Sequence, residues 1–119
     1  MQELSIAVGI VDAVRTEAEQ RGMGSVSAVY VRLGALSGVD KDALLFAFPM
    51  ACEDTELQGA ELAIEDVPVR IACAACGQES APESIYELIC PCCGAAADNV
   101  VSGRELELRA FEACQEVQT

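Results

Sequence analysis

Residues 73–94 read CAACGQESAPESIYELICPCCG, and a C-x2-C pair lies at each end of this stretch. The first pair is Cys73 and Cys76, and the second is Cys90 and Cys93. Two such pairs at this separation are typical of a closed four-thiolate zinc site. We therefore predict one zinc ion held by these four cysteines, with each pair spanning a tight turn that ends in glycine.

Little besides a metal is available to hold this segment in one conformation. Residues 73–103 contain six large apolar side chains, which are Ile85, Tyr86, Leu88, Ile89, Val100 and Val101. A structural zinc contributes about 10 to 16 kcal/mol to the folding of such a module. The metal is therefore predicted to act as its core, and the segment is expected to be disordered without it.

The same cysteines could form disulfides, a redox dithiol or an iron site. Residues 1–20 carry acidic residues where a secretory signal would be basic, so we expect a reducing cytoplasm, in which disulfides are rare. A redox C-x2-C usually stands alone beside a βαβ unit. Spacing does not separate zinc from iron. Cys92 could replace Cys90 or Cys93, although C-x1-C makes a poorer turn.

The charge of the chain excludes one class of partner. The formal net charge is −13, there is no histidine, and residues 73–103 contain no Lys or Arg. A segment without cations cannot release counterions from phosphates, so we exclude nucleic acid as a partner. No apolar run reaches the length of a membrane span, which excludes the membrane as well.

Two helices are predicted in the first half of the chain. Residues 4–20 place apolar side chains at helical spacing on one side. Asp40 is a good N-cap for a second helix. Pro49 is expected to kink or end that helix. Its apolar stripe consists of Leu44, Leu45, Phe48 and Cys52.

Three stretches show the period-two alternation of strands. Residues 25–33 alternate cleanly, whereas residues 60–71 change parity at 66–68, which we interpret as a bulge or a sheet edge. Residues 104–112 have no core of their own and are predicted to join the first sheet. One face of this last strand carries Leu106, Leu108 and Ala110.

These elements predict an α+β fold in which two helices pack on a three-stranded sheet and a four-cysteine zinc-ribbon module is inserted. Residues 1–70 plus 104–119 form the predicted α/β domain, and residues 71–103 form the zinc-binding domain. The module would leave on the strand before Cys73 and return on the strand after Gly103.

No catalytic constellation is present, so the chain is not predicted to be an enzyme. Cys52 and Cys114 are interpreted as a core residue and an idle terminal residue. A run of carboxylates, Glu105, Glu107 and Glu112, is interpreted as the solvated side of the last strand.

The N-terminus completes a resemblance that covers nearly the full length. The chain opens Met-Gln-Glu-Leu-Ser-Ile and continues with VYVRLGALSGV at 29–39, LLFAF at 44–48 and the two cysteine pairs. It resembles the HypA/HybF family of nickel-insertion accessory proteins, which open Met-His-Glu-Leu-Ser. The resemblance implies a cytoplasmic metallochaperone that delivers nickel to the hydrogenase large-subunit precursor with a partner GTPase. It also implies a structural zinc in the inserted domain.

The resemblance places the nickel site at Met1, Gln2 and Glu3, where the family uses the histidine at the second position. A neutral carboxamide is a weaker ligand for Ni²⁺ than imidazole, so Gln2 is expected to impair nickel binding. The residues alone also fit a zinc-ribbon interaction module or a rubredoxin-like iron protein without a nickel role.

Overall fold

Two α-helices and six β-strands form the part of the chain that the computed structural model describes, residues 2–97 and 99–115. In chain order they are α1 (Gln2–Gln20), β1 (Met23–Gly34), α2 (Lys41–Cys52), β2 (Glu61–Val67), β3 (Arg70–Ala72), β4 (Glu79–Ser80), β5 (Asn99–Ser102) and β6 (Leu106–Gln115). The strands form two three-stranded sheets, with the orders β2-β1-β6 and β4-β3-β5. The predicted α+β fold is confirmed.

The described chain divides into two compact units. The first consists of Met1–Val31, Val39–Ile64 and Leu108–Thr119, and the second of Arg32–Gly38 and Glu65–Glu107. Both helices lie in the first unit, and all four predicted zinc ligands lie in the second.

The first unit is held by an apolar core between its helices and strands. Because apolar residues recur every three or four positions along α1, one side of that helix is buried. The buried residues of this core are Ala7, Ile10, Val11, Val14, Ala18, Val26, Val29, Val31, Leu44, Ala47, Phe48, Cys52 and Leu57. Cys52 is thus a core residue, as predicted.

Helix α2 begins where the sequence predicts but does not end there. The Asp40 side chain accepts a hydrogen bond from the backbone N–H of Ala43, which confirms the N-cap. Pro49 was predicted to kink or end the helix, and of these two alternatives the ending is wrong, since α2 continues to Cys52. Pro49 is exposed, so the carbonyl that loses its hydrogen bond can turn to water, and buried Phe48 and Cys52 hold the turn in place.

The prediction of a single strand at 60–71 is wrong, because this stretch forms two strands, β2 and β3, which lie in different sheets. Pro68 lies between them and has no N–H to donate to a ladder. Within the second unit, the carbonyl of Val67 accepts from the backbone N–H of Ala35, and the carbonyl of Pro68 accepts from the Ser102 hydroxyl. The change of parity in the sequence therefore marks a change of sheet.

Strand β6 joins the first sheet beside β1, as predicted, but with its other face toward the core. Leu106 and Leu108 are 41% and 37% exposed, whereas Phe111 and Ala113 pack against the core. The Tyr30 hydroxyl donates a hydrogen bond of 2.8 Å to the Glu112 carboxylate, which holds Glu112 on the solvent side. Its neighbours along the strand must then face inward, since side chains alternate.

Two glycines in the second unit lie in unusually close backbone contact. Gly34 donates its N–H to the carbonyl of Glu105, and Leu36 donates to the carbonyl of Gly103. A Cβ atom on Gly34 would overlap the Gly103 carbonyl oxygen. No side chain fits at position 34 unless one of the two backbones moves.

Gly34→Ala should therefore destabilise the protein by about 1 to 3 kcal/mol, the usual cost of overpacking. The matched control is Gly9→Ala, because a Cβ at Gly9 in α1 meets no atom within 4 Å. That control should stabilise the protein by about 0.5 to 1 kcal/mol, since alanine favours a helix more than glycine does. Urea unfolding of the purified variants, matched in metal content and followed by circular dichroism, measures both. An unchanged midpoint for Gly34→Ala would contradict the close contact.

Candidate metal centre

Each C-x2-C pair folds into a tight turn closed by a glycine. The backbone N–H of Gly77 donates to the carbonyl of Cys73 at 2.8 Å, and Gly94 donates to the carbonyl of Cys90 at the same distance. The φ angles of Gly77 and Gly94 are +72° and +78°. Residues with a Cβ atom rarely adopt a positive φ angle, so the glycine after each pair is the residue that the turn requires.

A second hydrogen bond ties each turn to the chain that follows it. The Cys73 N–H donates to the carbonyl of Gln78 at 3.0 Å, and the Cys90 N–H donates to the carbonyl of Ala95 at 2.8 Å. The two turns therefore have the same backbone pattern. Strand β3 leads directly into the first of them, which fixes where its sulfurs lie.

The structure brings the sulfur atoms of Cys73, Cys76, Cys90 and Cys93 within 4.8 Å of one another. The Cys73 and Cys93 sulfurs are 3.4 Å apart, and those of Cys76 and Cys90 are 3.7 Å apart. Sulfurs about 2.3 Å from one ion at tetrahedral angles would lie about 3.8 Å apart. A disulfide needs about 2.05 Å, so the arrangement fits a metal and not a pair of disulfides.

The backbone prepares one of these thiols to ionise. The N–H groups of Cys93 and Cys92 point at the Cys90 sulfur and lower the pKa of its thiol to about 6. At Cys76 the N–H of Gln78 acts in the same direction, but desolvation and the neighbouring thiols outweigh it and raise the pKa to about 12. Close like charges disfavour one another, so four thiolates can coexist here only around a cation.

The other three cysteines take no part in this cluster. Cys92 is exposed, and its sulfur lies 3.7 Å from the Gln78 side-chain oxygen. Cys52 is buried in the core of the first unit, where burial raises the pKa of its thiol. Cys114 is exposed. Within residues 2–97 and 99–115, the four-cysteine cluster is the one group of three or more potential metal-binding side chains.

At the N-terminus, the structure shows a contact between Glu3 and Asp40 that the sequence did not predict. Met1 lies outside the described residues, and Gln2 is exposed at the start of α1. The Glu3 carboxylate accepts a hydrogen bond of 3.2 Å from the backbone N–H of Asp40. The cap of α2 therefore lies beside the first turn of α1. Asp40 was recognisable as an N-cap, but nothing in the sequence linked it to Glu3.

The described residues include no helix that is both long enough and apolar enough to cross a membrane.

The second unit combines four close thiols with a local surplus of carboxylates, since residues 73–103 contain Glu79, Glu83 and Glu87 but no Lys or Arg. The guanidinium of Arg70 reaches the Glu79 carboxylate at 3.1 Å. Such a centre can bind a soft or borderline cation and offers no open ligand position for catalysis.

Comparison with known proteins gives one consistent result. Residues 1–113 match the family described as HypA, hydrogenase/urease nickel incorporation, metallochaperone. The chain is 45% identical to hydrogenase maturation factor HypA of Roseiflexus sp. (strain RS-1) over 112 residues, which is 94% of this chain and 91% of that one. It is 46% identical to the protein of the same name from Chloroflexus aggregans, covering 94% of this chain and 98% of that one.

Solved structures agree with the sequence matches. The solution structure of the Ni metallochaperone HypA from Helicobacter pylori superposes with a TM-score of 0.68 at 25% identity. The likeness covers 96% of this chain and 98% of that one. The shared fold therefore includes both the helical unit and the unit with the four cysteines.

The geometry makes a direct prediction about the ligands. Cys73→Ser or Cys93→Ser should reduce bound zinc from about one per chain to nearly none and unfold the second unit, because a structural metal supplies its folding energy. Cys92→Ser is the matched control and should keep its zinc, since this thiol lies outside the cluster. Elemental analysis and proton NMR of the three purified variants measure the outcome. Zinc loss in Cys92→Ser would move the ligand set by one residue.

Proposed function

The chain belongs to the HypA family, and on that premise we propose that it is a nickel metallochaperone. Its task is to help insert nickel into the large-subunit precursor of nickel–iron hydrogenase during maturation. The observation that carries this proposal is the family match over residues 1–113, which takes in the N-terminus as well as both cysteine pairs. A zinc ribbon or a rubredoxin-like iron protein would account only for the second unit.

We assign zinc to Cys73, Cys76, Cys90 and Cys93, in a structural role. Four thiolates at tetrahedral spacing form a complete ligand set for Zn²⁺ and leave no position for a substrate. Two of the ligands, Cys73 and Cys90, are 3% and 0% exposed, so they are part of the interior of their unit. The division into a nickel-binding part, residues 1–70 plus 104–119, and a zinc-binding part, residues 71–103, belongs to the same proposal.

Nickel, the cargo, is assigned to Met1, Gln2 and Glu3. Gln2 lacks the imidazole that the family uses, and no histidine elsewhere in the chain replaces it. The Glu3 carboxylate is already engaged by the Asp40 N–H, which positions it but also competes with a metal for its oxygen. Nickel binding should therefore be weak in this chain, since ligand type governs metal affinity.

The partners in this proposal are a maturation GTPase and the hydrogenase large-subunit precursor, in the cytoplasm. Nucleic acid is excluded because the net charge is −13 and residues 73–103 have no cation to contact phosphates. The chain acts by binding and transfer and not as an enzyme. Cells that lack it should accumulate large-subunit precursor without nickel, whereas nickel-loaded precursor in such cells would contradict the proposed function.

Nickel titration tests the assignment of the terminal site. Gln2→His should bind about one Ni²⁺ per chain tightly, because imidazole can close a compact chelate with the first backbone nitrogens. The unaltered chain should bind Ni²⁺ weakly or not at all near neutral pH. Calorimetry on the two zinc-loaded proteins measures the difference, with zinc content as the control. Equal nickel affinity in both would remove the terminus as the site.

A further inference from the structure

A tight turn in the second unit displays two apolar side chains to solvent. In residues 84–87, the N–H of Glu87 donates to the carbonyl of Ser84 at 3.4 Å, and the N–H of Tyr86 donates to the Ser84 hydroxyl at 3.1 Å. Ile85 and Tyr86 occupy the two central positions and are 39% and 91% exposed. We call residues 84–87 the Ile–Tyr turn.

The central residues of this turn are unusual for the positions they occupy. Gly, Asn, Asp and Ser favour tight turns, because they tolerate the backbone of the turn or form hydrogen bonds with it. A β-branched residue followed by an aromatic residue does neither. Single apolar residues on a surface are ordinary, but Ile89, two positions beyond the turn, is also 36% exposed. Turn preference and scattered exposure therefore do not account for these side chains.

The chain after the turn is fixed by backbone hydrogen bonds and leads directly to the four-cysteine cluster. The N–H of Ile89 donates to the carbonyl of Glu87 at 3.0 Å, and the N–H of Ala97 donates to the carbonyl of Leu88 at 2.7 Å. Cys90 of the cluster follows. A side chain on a fixed base loses little conformational entropy when a partner covers it. Tyrosine in such a position is a typical anchor of protein interfaces.

The charges around the turn limit what can cover it. Glu83 and Glu87 flank the turn and are exposed, and residues 73–103 contain no Lys or Arg. The arginines of the second unit all lie outside this range, and two of them, Arg32 and Arg70, are in ion pairs with carboxylates. A surface complementary to the turn would therefore be an apolar socket with Lys or Arg at its rim.

Two kinds of occupant do not fit these charges. A second copy of this chain would bring the carboxylates of two turns together, and each chain carries a net charge of −13. A membrane surface with anionic lipids would repel the same carboxylates. The charges favour a basic surface on a different protein.

The shape of the turn favours the precursor over the GTPase among the partners of the proposed function. A four-residue turn is a narrow projection, so its partner has to offer a concave site. The basic concave site that a GTPase must have is its phosphate-binding loop, which the nucleotide occupies. The precursor has to keep a cleft open until nickel has entered, since metal binding is coupled to local folding.

We infer that the Ile–Tyr turn docks into the open cleft of the nickel-free large-subunit precursor, with Tyr86 as its anchor and Lys or Arg side chains at the rim of the cleft. The inference rests on the proposed function, because it takes the client protein from it. It adds a recognition surface in the second unit. The four-cysteine module would then serve to present this turn as well as to fold.

The test removes the two apolar side chains and keeps the turn. The double variant Ile85→Ser with Tyr86→Asn places residues that favour tight turns at both positions. The matched control is Phe46→Gln, which removes a 77% exposed aromatic side chain from α2 in the first unit and keeps helix propensity. Calorimetry measures the affinity of each protein, matched in metal content, for the purified nickel-free precursor, the nickel-loaded large subunit and the purified GTPase.

The double variant should bind the nickel-free precursor about tenfold more weakly or worse, as expected when an anchoring aromatic residue is lost. Phe46→Gln should bind the precursor as the unaltered chain does, and all three proteins should bind the GTPase equally. Glu83→Gln with Glu87→Gln should slow association with the precursor and reduce its salt dependence. Metal content and circular dichroism check the fold, and Tyr86→Asn alone replaces the double variant if that variant loses its metal.

Retention of precursor affinity by the double variant would overturn the docking surface and leave the proposed function standing. Loss of affinity for the GTPase instead, or equal binding of the nickel-loaded subunit by the unaltered chain, would overturn the choice of occupant. So would a dimer of the unaltered chain that the double variant dissolves, which analytical ultracentrifugation detects. Failure of the unaltered chain to bind the precursor at all would remove the client of the proposed function, and the docking surface with it.

Discussion

The second unit depends on the hydrogen bond that closes each cysteine turn, from Gly77 to Cys73 and from Gly94 to Cys90. These bonds aim four sulfurs at one point, where they lie within 4.8 Å of one another. Apolar packing around them is sparse. The large apolar residues described as buried in this unit are Leu33, Val67, Val69 and Ile71. Two cysteines of the cluster, Cys73 and Cys90, are buried with them and complete the interior. The metal centre is thus part of the core and not an addition to it.

The sequence predicted those features that depend on local spacing. Paired C-x2-C turns, the Asp40 cap and the helical periodicity of α1 each involve residues within a few positions of one another. Features that depend on residues far apart in the sequence were not predicted. Pro68 divides a run of strand-like residues between two sheets. The face of β6 that packs on the core goes with a contact between residues 82 positions apart, the hydrogen bond from Tyr30 to Glu112. Nor does spacing bring Glu3 to Asp40.

The same division applies to the candidate sites. The four clustered cysteines could be named from the sequence because each C-x2-C turn has a fixed length and presents two of them. The residues proposed for nickel could be named only through the family resemblance, since a terminal chelate has no spacing pattern of its own. The structure adds the contact between Glu3 and the cap of α2, which links the geometry of the terminal site to the position of a second helix.

Exposure divides the four cysteines of the metal centre into two kinds. Cys73 and Cys90 are buried, whereas Cys76 and Cys93 are open to solvent. A chelator would therefore reach an ion in this cluster past Cys76 and Cys93, and it would replace their sulfurs before those of Cys73 and Cys90. An ion held by these four sulfurs would contribute to folding and would still have a short path for ligand exchange. Tight equilibrium binding and rapid replacement of the ion would then be compatible, and the metal content of a purified sample would depend on the ions and chelators that the protein has met.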